Sequence, residues 1–213
     1  RKVHKTQIKN RTVFEGRMFT DFQNLGIDSF AEMDTVHSSQ KSKRVILTFF
    51  LTREKLFLAF IMNRCTQGAV KLIFDELEHQ LGTYDFLKLF NVILTDRGAE
   101  FGNPEALENG SCGIVRSSIY FCDPTRSGQK GGIEQAHPML LMVLPKKTSF
   151  EFLTQWDLRT IVDHINSTPR ESLGGRTPYD VVLEHYGIGI LKALQLRPIP
   201  PDEVNLTPKL IRF

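Results

Sequence analysis

At 213 residues, 41% hydrophobic and 24% charged, the chain has the makeup of one globular domain with extensions, long enough for a sizeable core. No apolar run approaches the ~20 residues of a membrane span and no charged-then-apolar leader opens the sequence, so the expectation is a soluble cytoplasmic protein without membrane partners. A formal charge of +3 is too small to argue for nucleic acid by itself.

The charge distribution says more. Arg1, Lys2, Lys5, Lys9 and Arg11 all precede the first acid, Glu15. Residues 1–24 lack steady periodicity and read as a basic arm or linker, either a solvated tail or a segment lying along phosphates. The sequence does not begin with methionine, and the expectation is a fragment whose preceding domain is missing. The three cysteines, Cys65, Cys112 and Cys122, are odd in number and lack metal-ligand spacing in sequence, which fits reduced thiols better than a disulfide framework.

From residue 29 the pattern is regular. Phe30, Ala31, Met33 and Val36 surround Glu32 and Asp34 and predict a strand, followed by a polar turn at Lys41, Ser42 and Lys43. Residues 44–52, RVILTFFLT, and 55–62, KLFLAFIM, are two further strands with a short turn between them, so an antiparallel meander is expected. Thr66 can cap a helix with Val70, Phe74, Leu77 and Leu81 on one face, ended by Gly82. Such a helix supplies the crossover to a parallel strand at 92–94.

That strand runs into Thr95-Asp96-Arg97-Gly98, an acid followed by a glycine turn. It delivers a carboxylate to the end of a buried strand, where ligands collect in open α/β sheets. Residues 104–108 can form a short helix, 118–121 a brief strand, and 127–132 a flexible glycine loop ahead of an apolar helical piece at 139–143. Residues 154–165 are an amphipathic helix with Trp156, Leu158, Ile161, Val162 and Ile165, and a last helix covers 178–185. The proline-rich stretch from 197 reads as a docking tail.

Three antiparallel strands, a crossover helix, a parallel strand, another strand and then helices make a five-stranded mixed α/β sheet flanked by helices. That is the ribonuclease H-like arrangement. The core is expected over 25–186, with a C-terminal tail over 187–213. The first strand then lies mid-sheet with the fourth beside it, so Asp34 and Asp96 approach each other. Two carboxylates in one cleft repel unless a cation sits between them, and hard oxygen ligands suit Mg²⁺ or Mn²⁺. A third acid is expected from the helix after the fifth strand, where Glu134 stands. Spacing does not choose among 24 acids: Glu32 shares a strand face with Asp34, and Glu100 lies close to Asp96.

Four motifs in order narrow the choice: EMDTV at 32–36; LTDRGAEF at 94–101; YFCDP at 120–124 with GGIE ending at Glu134; and NSTPR at 166–170 with LGGRTP ending at Pro178. Together they resemble the catalytic core of bacterial transposases of the insertion-sequence 30 family, relatives of retroviral integrases, from about Ser29 to Tyr186. The resemblance implies an Asp-Asp-Glu triad of Asp34, Asp96 and Glu134 and selects Asp34 over Glu32. It also implies a two-metal Mg²⁺ or Mn²⁺ site, double-stranded DNA partners (transposon ends and target), a homodimer or higher assembly, a preceding helix-turn-helix domain and a nucleoid-associated setting in a bacterium. Lys130, Lys146, Lys147, Arg170 and Arg176 are candidates to hold phosphates.

Two positions depart from the family pattern. Seven residues past Glu134, where a basic residue usually stands, is Leu141. Pro138 sets its ring against the carbonyl of Glu134, so the helix is expected to start between Glu134 and Pro138. His137 would then be a polar helix-start residue or an auxiliary to the metal or a phosphate. These departures keep open a DNA-binding or assembly module that has lost chemistry; a structure-specific nuclease of the same fold is a further alternative.

Overall fold

The computed structural model describes residues 6–38, 42–110 and 113–211, with only the backbone of Ser127. Arg1, Lys2, Lys5, Lys41 and Cys112 lie outside the described residues. Strands β1 (Ala31–His37), β2 (Val45–Leu51) and β3 (Leu56–Met62) form the expected antiparallel meander, and β4 (Val92–Thr95) and β5 (Ser118–Phe121) run parallel to β1. The sheet order is β3-β2-β1-β4-β5, which puts β1 at the centre. The expected five-stranded mixed sheet is present.

Described helices, in chain order, are α1 (Phe19–Gln23), α2 (Gln67–Leu81), α3 (Thr83–Phe90), α4 (Pro104–Glu108), α5 (Gly131–Val143), α6 (Gln155–Asn166), α7 (Pro178–Tyr186) and α8 (Ile188–Ala193). Thr66 caps α2 as expected, its side chain accepting from Ala69 N. Gly82 ends α2 at φ +76, and α3 starts immediately after the same glycine, so two helices stand where periodicity showed one. Phe49 of β2 packs edge-on against Phe74 of α2 and Phe90 of α3, which covers one face of the sheet. The other face carries α5, with Thr48 of β2 bonded to His137.

α6 guards the edge strand. Asn166 accepts from Phe57 N (2.9 Å) and donates to Phe57 O (2.8 Å), while Gln155 accepts from Ile61 N and donates to Ala59 O. Two side-chain amides thus take the place of a sixth strand and close the exposed ladder. Leu158, Ile161, Val162 and Ile165 of this helix are buried, whereas Trp156 is exposed and stacks under Arg197.

Both ends of the chain are tied to the sheet and its helices. Thr6 to Ile8 pairs with Arg97 to Ala99 through Ala99 N to Thr6 O and Ile8 N to Arg97 O, and Phe14 and Phe22 are buried. Buried aromatic side chains at wide spacing tie this leader to the sheet without giving it periodicity. At the other end the tail docks on α6: Asp163 accepts from Arg197 N, Ser167 from Ile199 N, and His164 Nδ1 from Asn205 N.

The helix carrying Glu134 is a correction. α5 is continuous from Gly131, with Pro138 inside it, so it does not start between Glu134 and Pro138. Its first turn is held from outside: the buried carboxylate of Glu32 on β1 accepts from Gly132 N (3.4 Å) and Ile133 N (2.5 Å). An anion at a helix N-terminus satisfies donors that the helix leaves unpaired and complements the dipole. Glu134 and Pro138 are both exposed, so water can take over the carbonyl that Pro138 leaves without a donor.

Candidate active site

Parallel register places the two aspartates. Met33 of β1 pairs with Thr95 of β4, so the next residues lie side by side: Asp34, still inside β1 and paired with Thr48 of β2, and Asp96, just past the end of β4. Each carboxylate has one oxygen fixed by a backbone amide. Thr35 N donates to Asp34 Oδ1 (2.7 Å), and Gly98 N donates to Asp96 Oδ1 (2.9 Å). The remaining oxygens face one cation: Lys130 Nζ lies 3.2 Å from Asp34 Oδ2 and 3.9 Å from Asp96 Oδ2, and it donates to Met33 O at 3.1 Å.

Lys130 is only 2% exposed. A buried ammonium requires paired charge, and these two carboxylates supply it. The sequence reading put Lys130 at a phosphate; here its ammonium faces inward. It marks a position that both aspartates reach with one oxygen each, and in that sense it is a stand-in for a bound cation. The donor set, two carboxylates and a carbonyl, is that of a hard divalent ion.

Glu134 is exposed in the first turn of α5, whose N-cap residue is Lys130 itself. Among the described residues, the carboxylates paired with Lys130 are those of Asp34 and Asp96. His137 is turned to the sheet, 3.0 Å from Thr48 Oγ1 and edge-on to Phe57, and Thr48 in turn donates to Asp34 O. It supports the strand that carries Asp34. Of the other basic candidates, Lys146 and Lys147 are exposed after α5. Arg170 is half-buried, donating to Ile165 O, and burial pushes its guanidinium pKa down. Arg176 is ion-paired to Glu184 on α7.

Three further residues shape the site. Burial pushes the Glu32 pKa up, against the opposing pull of the Ile133 and Gly132 amides and of Lys130 and Lys55. Cys122 is buried beside the acids, and burial pushes its thiol up to about 12, so it is no nucleophile. Glu100 folds back beneath the turn after Asp96 and accepts from Thr35 Oγ1 (2.8 Å). Glu32 and Glu100 were visible as neighbours of the aspartates in sequence, but only the strand faces show that one holds α5 and the other lies across the sheet.

No protein-family model matches the chain. It is 35% identical over 66 residues to the transposase of insertion sequence element IS1086 from Cupriavidus metallidurans, covering 31% of this chain and 20% of that protein. It is 33% identical over 64 residues to transposase InsI of IS30A from Escherichia coli K12, covering 30% of this chain and 17% of that protein. Over these segments the chain is similar to insertion-sequence transposases of the IS30 type. A longer match, 26% identical over 173 residues, is to putative integrase ORF3 of Spiroplasma virus SpV1-R8A2 B, covering 78% of this chain and 51% of that protein. The chain thus spans about half or less of the length of the curated relatives it matches.

Solved structures agree on the fold. The catalytic core of BIV integrase superposes with a TM-score of 0.51 at 20% identity, covering 73% of this chain and 93% of that one. The HTLV-2 integrase catalytic core in complex with magnesium gives 0.51 at 14%, covering 71% and 94%. The fold is ribonuclease H-like, as the strand order requires. No helix of the described residues is long and apolar enough to cross a membrane.

Proposed function

We propose that this chain is a transposase catalytic core that cleaves transposon-end DNA and joins it to a target, with Asp34, Asp96 and Glu134 as a metal-binding triad. One observation carries the reading: two aspartates on neighbouring parallel strands, Asp34 within β1 and Asp96 just past β4, each anchored through Oδ1, turn Oδ2 toward a single cation position. The relatives' names and the integrase fold support DNA as the substrate. Asp34 and Asp96 would hold Mg²⁺ or Mn²⁺, with Glu134 supplied from the exposed first turn of α5. The bound ions would supply activation of an attacking oxygen and stabilisation of the leaving one.

The protein's own part is positioning. Backbone amides of Thr35 and Gly98 fix the two carboxylates before any ligand arrives, and Glu32 clamps the helix that presents Glu134. Lys146 and Lys147, exposed beyond α5, would take the phosphate contact that Leu141 does not provide. A homodimer or larger assembly, a preceding helix-turn-helix domain and a bacterial nucleoid location belong to the same proposal.

Cleavage and joining of a labelled transposon-end duplex with Mg²⁺ or Mn²⁺ tests it, with Asp96→Asn as the comparison; equal activity in both proteins would remove the triad. A second reading, a DNA-binding module without chemistry, is favoured by the Lys130 ammonium, which already sits against both aspartates and offsets part of their charge. Calorimetry separates the two, because the module would show no Mn²⁺ binding at millimolar concentration.

A further inference from the structure

We propose that His37, Cys65 and Glu100 form a second metal site, for one zinc-class cation, on the face of the sheet opposite Asp34. Their ligand atoms, one per residue, all lie within 4.8 Å of one another. Tetrahedral zinc with ligands at ~2.0–2.3 Å sets them ~3.3–3.8 Å apart, so side-chain movements of about 1 Å close the site. The three residues arrive from separate elements: His37 ends β1, Cys65 lies between β3 and α2, and Glu100 sits in the one-turn 3-10 helix Ala99–Phe101 after Asp96. No sequence spacing announces them.

Strand alternation separates this cluster from the aspartates. Glu32 turns to the α5 face, as its bond to Ile133 shows, and Asp34 follows it at period two. Thr35 and His37 turn the other way, toward α2, whose first residue Gln67 donates to Ala99 O. The carboxylate is held in advance. Glu100 is 5% exposed and bonded to Thr35 Oγ1, which also lies 3.4 Å from His37 Nε2. Gly98 leaves it room: a Cβ there would stand 2.6 Å from Glu100 Oε2.

The donor set decides the ion. A thiolate and an imidazole beside one carboxylate are too soft for Mg²⁺ and suit zinc, and three protein ligands leave a fourth position open. Thr35 would orient the ligating Glu100 from outside the coordination sphere. A cation here would tie the end of β1, the β3–α2 connection and the loop carrying Asp96 into one unit. This inference does not depend on the triad, whose oxygen ligands select a different ion.

Co²⁺ is the probe, added to the full chain under reducing conditions in excess Mg²⁺. The expected result is a thiolate-to-Co²⁺ charge-transfer absorption that saturates at one equivalent and is displaced by Zn²⁺. Cys65→Ser abolishes it, Thr35→Val weakens affinity about 10–100-fold, and Asp34→Asn leaves it intact. Absence of the band, its survival in Cys65→Ser, or its loss in Asp34→Asn overturns the proposal. The unsubstituted chain gives an independent check: Zn²⁺ protects Cys65 from alkylation, read by peptide mass spectrometry, and equal labelling with and without Zn²⁺ overturns it too.

Discussion

Lys130 sets the electrostatics of the candidate active site. Its ammonium is enclosed and shared by two carboxylates, so removing it leaves Asp34 and Asp96 facing each other without a counter-charge. Breaking a buried pair costs up to ~3–5 kcal/mol, and the partial exposure of both aspartates puts the expected loss for Lys130→Met at about 1–3 kcal/mol. Mn²⁺ should then recover that stability, giving a larger metal-induced rise in Tm than in the parent. A metal-free Tm equal to the parent's, or no Mn²⁺ rescue, would show that the ammonium is not the counter-ion. Asp163 offers a pH test. Burial holds its carboxyl at about 6, above the 3.8 of an ordinary aspartate. Its protonated form is favoured in the folded protein, so its stabilising contribution is full below pH ~4 and is lost as pH rises through 6. Asp163→Asn should therefore raise stability at pH 8 by on the order of 2–3 kcal/mol and by little at pH 4, in urea melts at both values.

Among the elements, α5 and α6 do the positioning. Pro138 interrupts the hydrogen-bond ladder of α5, and an interior proline costs a helix ~3 kcal/mol. Pro138→Ala is expected to stabilise the protein by about 1–3 kcal/mol, seen as a higher urea midpoint at unchanged slope. A destabilised Pro138→Ala would mean that the ring's own packing matters more than the missing donor. Asn166 closes both backbone groups of Phe57, and Asn166→Ala strands a buried donor and a buried acceptor. A loss of ~2–4 kcal/mol follows, with exchange protection at Phe57 N–H falling first; uniform loss of protection would contradict a local edge role.

For the whole molecule, α5 ends near a short basic segment, and DNA is the proposed partner. Lys146→Ala and Lys147→Ala should each weaken duplex binding about equally for all sequences and reduce the salt slope by ~1, measured by anisotropy against salt concentration. A sequence-dependent loss would assign these lysines to base contacts.

Strand number, strand order and the two aspartates were legible in the sequence because alternation, turn residues and a crossover helix leave few topologies. That order makes β1 and β4 parallel neighbours and so brings Asp34 close to Asp96, while the choice of Asp34 over Glu32 came from the motif resemblance. The start of α5 was not legible. Pro138 argued locally against a helix through Glu134, and the opposing anchor, Glu32, sits about 100 residues away in sequence. The inward turn of Lys130 and the meeting of His37, Cys65 and Glu100 also depend on which face of β1 each side chain takes and on what packs there. Sequence by itself determined the ribonuclease H-like strand order, because this rests on periodicity and short-range turn chemistry, and it named the acids only through the motif resemblance. Only the tertiary structure decided which charge faces Asp34 and Asp96 and where the helix bearing Glu134 begins, because those pairings are made across the sheet between residues that no local pattern connects.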